Sequence, residues 1–280
     1  MDFYFSRDEC LNLEQSLRQE WLETDGLGGY AADTIIDCHT RKYHGLLVVP
    51  VPAVNRQCVL LSKVEASLLA HDNVFRFATN KFPGVFHPTG HKYIQEFHHD
   101  NHPTVLYRAG SILLRRSVLM LHGEHTVLLK FEITTAERPV KLQLQPLLAC
   151  RDIHALQLNE DVDAFECDWG GDCLRVRDRA RALPAVYLET TAGGGFTAAG
   201  EWLRSFEYLK ERSRGFDYQE NLFTPGVFEF EMGQGDVIFL RAGLAPSQEA
   251  PAAQWQREHD RRAAVRERFR DEPGLVRVLK

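Results

Sequence analysis

No stretch of this 280-residue chain approaches the ~20 consecutive apolar residues of a membrane span, and the run LLVVPVPAV (46–54) is broken by Pro50 and Pro52. A soluble protein with no membrane partner is expected. The opening MDFYFSRDEC has neither a basic n-region nor an apolar h-region, so export is not expected. The six cysteines, Cys10, Cys38, Cys58, Cys150, Cys167 and Cys173, contain no CxxC pair and read as free thiols in a reducing cytoplasm. Positive charge is short as well. A formal net charge of -6 argues against nucleic-acid binding, which relies on clustered Lys and Arg. The one dense basic run, Arg257 to Arg270, is interleaved with Glu258, Asp260 and Glu267 and reads as a solvated helix face.

Phosphate-loop chemistry is lacking too. No Gly-Lys-Ser/Thr occurs, which excludes a Walker loop. Gly26-x-Gly28-x-x-Ala31 superficially matches the dinucleotide fingerprint, but that motif needs an apolar strand before it and a helix after it. Here RQEWLETD precedes the glycines and the β-branched TIID follows. The glycines therefore read as allowing positive φ or close backbone approach in a tight turn.

Short strands separated by turn residues fill most of the chain. The runs are 43–51, 57–70, 73–79, 104–121, 125–134, 138–148, 185–191, 226–232 and 236–244. In the sixth, Val140, Leu142, Leu144 and Pro146 alternate with Lys141, Gln143 and Gln145, the period of a half-buried strand. Such runs predict stacked antiparallel sheets. Residues 8–20 predict a first helix with Asp8 as cap and Leu13, Leu17 and Trp21 on one face. Residues 200–218 show no strand alternation, and the composition from Ser247 onwards favours a closing helix. A chain of this length buries roughly 75% of its unfolded surface, so no disulfide or metal is needed for stability.

Five ordered motifs carry a more specific signal: EWLETDGLGGYAADTIIDCHTRKYHGLLV (20–48), LLSKVEASL (60–68), FPGVFHPTGHKYIQEF (82–97), QPLLACRDIHAL (145–156) and FEYLKERSRGFDYQENLFTPGVFEFEM (206–232). Together, over about residues 18–245, they resemble the N-terminal domain of bacterial and archaeal glycogen debranching enzymes, the amylo-α-1,6-glucosidases. The sequence departs from the family pattern at Asp25 (usually Asn), Ala32-Asp33 (Ser-Gly), Lys42 (Arg) and Cys150 (Tyr). The resemblance implies an antiparallel β-supersandwich with a short N-terminal helix over residues 1–245. It also implies a linker helix over 246–280, leading to an (α/α)6 barrel that supplies the catalytic carboxylates. The expected partners are that barrel, in the same polypeptide, and α-glucan.

Glycoside hydrolysis needs two carboxyls ~6.5–9.5 Å apart for inversion or ~5–5.5 Å for retention. No acidic pair stands out in a loop. Asp152, beside Arg151 and His154, reads more simply as an Asp paired with an Arg to fix a loop, so no catalytic residue is expected. Sugar sites combine aromatic faces with planar polar groups. Trp21, Tyr30, Arg41, Tyr43 and His44 supply these in the opening motif, and Arg151, Asp152 and His154 supply them in a second loop. Phe206, Tyr208, Arg214, Asp217 and Tyr218 form a third cluster. The three clusters are expected to converge on one substrate-facing or interdomain surface; the plainer alternative is that the rings are core. Among His87, His91, His98, His99 and His102, the first two have helical i,i+4 spacing, but Pro88 and Gly90 argue against a helix there. A zinc site would also want a third ligand, so no metal or other cofactor is expected. Two other readings stand beside the debranching module: a free-standing α-glucan-binding module, and an aldose-1-epimerase-like enzyme using His44 or His154 with a carboxylate.

Overall fold

The computed structural model describes residues 3–70, 72–158, 160–191 and 193–269. Among them, in chain order, lie β1 (Phe3–Ser6), α1 (Arg7–Leu11), α2 (Leu13–Ser16), β2 (Glu20–Thr24), β3 (Tyr30–Thr34), β4 (Gly45–Val51), β5 (Arg56–Ala70) and β6 (Asn73–Arg76). There follow β7 (Thr79–Phe82), β8 (Val85–Thr89), β9 (Ile94–His99), β10 (Pro103–Ala109), β11 (Ile112–Met120), β12 (Thr126–Thr135), β13 (Val140–Asp152), β14 (Phe165–Gly170) and β15 (Cys173–Asp178). The chain continues through β16 (Val186–Thr190), β17 (Gly195–Glu207), α3 (Leu209–Ser213), β18 (Gln219–Met232), β19 (Val237–Gly243) and α4 (Pro251–Arg268).

One sheet has the order β1-β9-β10-β11-β12-β19-β16-β15-β14, and the other runs β17-β18-β13-β5-β4-β3-β2 with β6 added on β5. Their neighbouring strands are antiparallel, as expected. Alternation explains the packing. Leu142, Leu144, Phe228 and Phe230 from the eight-stranded sheet join Leu114, Val127, Leu129 and Leu240 from the nine-stranded sheet in one core. Lys141, Gln143 and Gln145 point the other way and stay half-buried. The fold is thus a mainly β antiparallel sandwich. A second apolar cluster (Val48, Val59, Leu147, Ala149, Phe206 and Leu222) lies on the outer face of the eight-stranded sheet, under loops.

Three local expectations change. The predicted helix over 8–20 breaks at Asn12, whose extended backbone separates α1 from α2. Glu9 closes the first turn by accepting from Ser6 N and Oγ at 2.8 and 2.7 Å, so Ser6, not Asp8, begins the helix. Trp21 lies in β2. The run 104–121 folds back at Gly110, φ +64°, into the hairpin β10–β11. Residues 195–207, which overlap the start of the region 200–218 read as lacking alternation, are a strand whose period is interrupted by register shifts between Ala198 and Glu201 and between Leu203 and Phe206.

The closing helix packs back on the nine-stranded sheet. Trp255 joins Leu119, Leu121, Leu128 and Phe239 there. The basic run is not only a solvated face, because Glu258 and Arg262 are buried. Arg262 Nε donates to Glu258 Oε1 at 2.8 Å, Nη1 to Glu23 Oε1 at 3.1 Å and Asn101 O at 2.7 Å, and Nη2 to Glu23 Oε2 at 2.6 Å and Met120 O at 3.0 Å. Of the expected linker helix over 246–280, the segment 270–280 lies outside the described residues.

Arg262→Ala leaves Glu23 buried without its cation and is expected to cost about 3–5 kcal/mol in urea unfolding. The pair Glu23→Gln with Arg262→Met should cost less than that single change. A loss for Arg262→Ala within the scatter of surface substitutions would contradict this role.

Candidate functional site

The long β3–β4 loop, 35–44, is rooted in buried charge. Asp37 sits at φ +57° between Lys63 of β5 and Arg116 of β11. Arg116 Nη1 lies 2.8 Å from Asp37 Oδ1, and Lys63 Nζ lies 3.6 Å from Oδ2. Lys63 also donates to Asp37 O and to Asn80 Oδ1, each at 2.7 Å. Burial works against its charge, but Asp37 and Glu65 outweigh it and raise its pKa. For Asp33, burial and then the neighbouring Asp37 charge lift the carboxyl well above the ordinary range. His39, 3.6 Å from Asp33, is held neutral by burial and by nearby cations.

At the tip of the loop a second buried pair takes over. Arg151 grips Glu220 with Nε and Nη2. Its other N–H groups donate to Lys42 O at 2.8 Å and Asp152 O at 3.2 Å. Glu220 also accepts from the Tyr208 hydroxyl and from Gln157 N. One ion pair therefore ties the 40–44 loop, the 152–157 loop and the chain before α3 to the outer face of the sheet.

The ten proposed face residues divide between the interior and the surface. Trp21 is core, its Nε1 donating to Thr34 O at 3.2 Å. Arg151 and Tyr208 are also buried, as braces beneath the loops. His44 is 3% exposed, and its Nδ1 accepts from Thr40 N at 3.2 Å while Nε2 faces Glu20 Oε1 at 3.7 Å. Burial keeps the ring neutral, and His44 with Arg41 holds Glu20 down at about 2. This His–Glu neighbour pair is the nearest thing to epimerase chemistry, but the ring is closed off. Tyr30 is half-buried and donates to Tyr43 O at 2.7 Å.

The rest form a surface. The Tyr43 and His154 rings meet edge to face, with centroids 5.7 Å apart. Lys42 Nζ donates to His154 O at 2.9 Å and lies 5.8 Å from the Phe216 ring, which Arg214 approaches to 5.0 Å. Phe216, absent from the expected set, is 51% exposed. Asp217 is exposed beside it. Asp152 is committed to fixing its loop, through Arg56 at 2.8 Å rather than Arg151, and its Oδ1 accepts from His154 N at 2.7 Å. Next to it a groove of ≈ 690 Å³ opens between Arg56, Asp152 and His154 on one side and the 181–183 loop on the other.

Sequence reasoning missed Asp37, Lys63, Arg116 and Glu220. The legible signal was Lys63, which with Glu65 puts charge inside the otherwise apolar run CVLLSKVEASLLA. No group of three His, Cys, Asp or Glu side chains placed to hold a metal occurs among the described residues.

A family model described as glycogen debranching enzyme N terminal matches residues 19–239. The chain belongs to that family. No curated protein matches it. Among solved structures, a mutant of heparan sulfate lyase HepC from Pedobacter heparinus aligns over 80% of this chain and 31% of its own, at 12% identity and TM-score 0.37. A bacterial glucoamylase complexed with acarbose aligns over 87% of this chain and 33% of its own, at 8% identity and TM-score 0.38. This debranching-enzyme N-terminal domain thus spans about a third of either chain.

Asp33 gives a pH test. A carboxyl whose folded pKa is raised contributes fully below its unfolded pKa, and that stability is lost as pH rises through the folded value. Asp33→Asn keeps an acceptor for Thr34 N and has no proton to lose. The variant is expected to match the natural chain near pH 4 and to be the more stable at about pH 8, by urea melts. An advantage that shrinks with rising pH would contradict the upward shift of the Asp33 carboxyl.

Proposed function

We propose that this chain is the non-catalytic N-terminal module of a glycogen debranching α-1,6-glucosidase acting in glycogen and α-glucan breakdown. In this reading the loops over its eight-stranded sheet pack against an (α/α)6 catalytic barrel of the same polypeptide and shape the rim of the substrate cleft. Family membership over residues 19–239 supports the parent activity.

One observation carries the docking role: a surface of Lys42, Tyr43, His154, Arg214 and Phe216 whose supporting carboxylates are already committed. Glu220 is bound by Arg151, Asp152 by Arg56, and Glu207 by Lys81 at 3.0 Å. Acid–base chemistry needs a carboxyl that can reach the substrate with hydrogen-bonding capacity to spare. A rigid ledge of rings and cations suits an interdomain contact better. The location proposed is the cytoplasm. It is supported by six unpaired thiols, four of them buried. No helix among the described residues is long and apolar enough to cross a membrane.

The downstream reading frame and a limit-dextrin assay test the proposal. The frame is expected to run past Lys280 into helical hairpins. The full protein should release glucose from phosphorylase-limit dextrin, while residues 1–280 alone release none. Release by residues 1–280 alone would overturn the non-catalytic assignment. A frame ending at Lys280 would remove the barrel.

A further inference from the structure

The groove at the open end of the sandwich has a composition that selects a ligand class. Its floor is apolar: Val54 and Leu183 both pack on the main core. Its walls are planar polar groups, Arg56, Asp152 and His154 from the eight-stranded side and Arg181 from the β15–β16 loop. Its size, ≈ 690 Å³, falls in the range of small-molecule sites. A second lobe of ≈ 520 Å³ continues past Arg56 along Gln57 and Ile153. The two lobes share the Arg56–Asp152 pair as a saddle.

The charges in this groove are matched one to one. Arg56 pairs with Asp152 at 2.8 Å, Arg181 with Asp178 at 2.7 Å, and Arg151 with Glu220. No unpaired cation is left to draw a free anion. Hydrogen-bonding capacity does remain. Arg56 Nε and Nη2 and His154 Nε2 bond to no described residue, and Arg56 is mostly exposed. Neutral walls with in-plane donors and acceptors over an apolar floor match a polyol, whose hydroxyls both donate and accept and whose ring C–H faces are apolar.

We propose that this groove is a binding subsite for a neutral glucan strand. The ≈ 690 Å³ lobe would hold roughly two or three hexose units, and the saddle at Arg56–Asp152 leads the strand into the second lobe. The choice of an α-linked glucose chain among polyols rests on the debranching reading; the groove itself does not.

Calorimetric titration of residues 1–280 with maltotriose and maltoheptaose tests this, with inorganic phosphate as a separate arm. Saturable binding of both sugars is expected, maltoheptaose the tighter because it crosses the saddle. Ala182→Trp, at an exposed loop position on the groove wall, and Arg56→Ala should each weaken it by about tenfold. Unchanged thermal melts will show that both variants are folded. Absence of saturable sugar binding overturns the subsite, as does undiminished binding by both folded variants. Phosphate binding that Arg56→Ala abolishes, without sugar binding, overturns the neutral-ligand class. None of these outcomes depends on a barrel, so a failed titration leaves the debranching reading standing. A reading frame that stops at Lys280 leaves the titration unaffected.

Discussion

Asp37 is held by two cations from two different sheets, and the loops of the outer face depend on that contact. Arg116 reaches it from the nine-stranded sheet and Lys63 from the eight-stranded one. Buried charges are costly unless paired and hydrogen-bonded, so a loop that delivers the shared anion has little freedom in where it runs. Thr79 N and Lys63 Nζ also bond Asp37 O, which seats the β7 segment against the same point. Burial beside Asp37 pushes the Asp33 carboxyl up, while at Asp37 burial is outweighed by Arg116 and Lys63, which hold it down, so the two adjoining carboxyls shift in opposite directions.

From that root the outer face is built in two layers. The lower layer is buried: Arg151, Glu220 and Tyr208 satisfy one another and pin three loops from beneath. The upper layer is exposed and carries little hydrogen bonding of its own. Phe216 has Lys42 and Arg214 near its ring, and Tyr43 leans on His154. Such division makes mechanical sense for a contact surface. Rigidity below would cut the ordering cost for the partner proposed above.

The sheets were legible because alternation is local. β13 reads correctly from Val140 to Gln145, and β5 reads as one long apolar run. β17 was lost because its register shifts break the period that makes a strand visible. The ion pairs were lost for a different reason. Glu23 and Arg262 are 239 residues apart, and Arg151 and Glu220 are 69 apart, so no spacing rule connects them. Residue type alone also misplaced Trp21, Arg151 and Tyr208, whose polar atoms serve interior partners rather than the surface.

The glycine-rich opening motif shows how flanking structure and hydrogen bonding settle what a pattern cannot. A phosphate loop needs free backbone N–H groups aimed at the anion. Here Leu27 N and Gly29 N already donate to Asp25 Oδ1, at 2.7 and 2.9 Å, so a buried carboxylate of the chain takes the anion's place. His125 Nδ1 meets the other oxygen at 2.5 Å, and Gly123 N donates to Asp25 O at 2.7 Å, so the turn is clasped to the β11–β12 hairpin of the opposite sheet. A Cβ on Gly29 would stand 2.1 Å from Asp25 Oδ2, and one on Gly26 would stand 2.6 Å from the His122 ring. Gly26 and Gly29 serve close approach, and Gly26 and Gly28 supply positive φ, +77° and +90°. On its other side Gly28 O accepts from Gln57 Nε2 at 2.9 Å, beside Arg56 at the saddle of the groove. The turn that resembled a nucleotide loop therefore joins the two sheets and steadies the strand end that forms one wall of the groove.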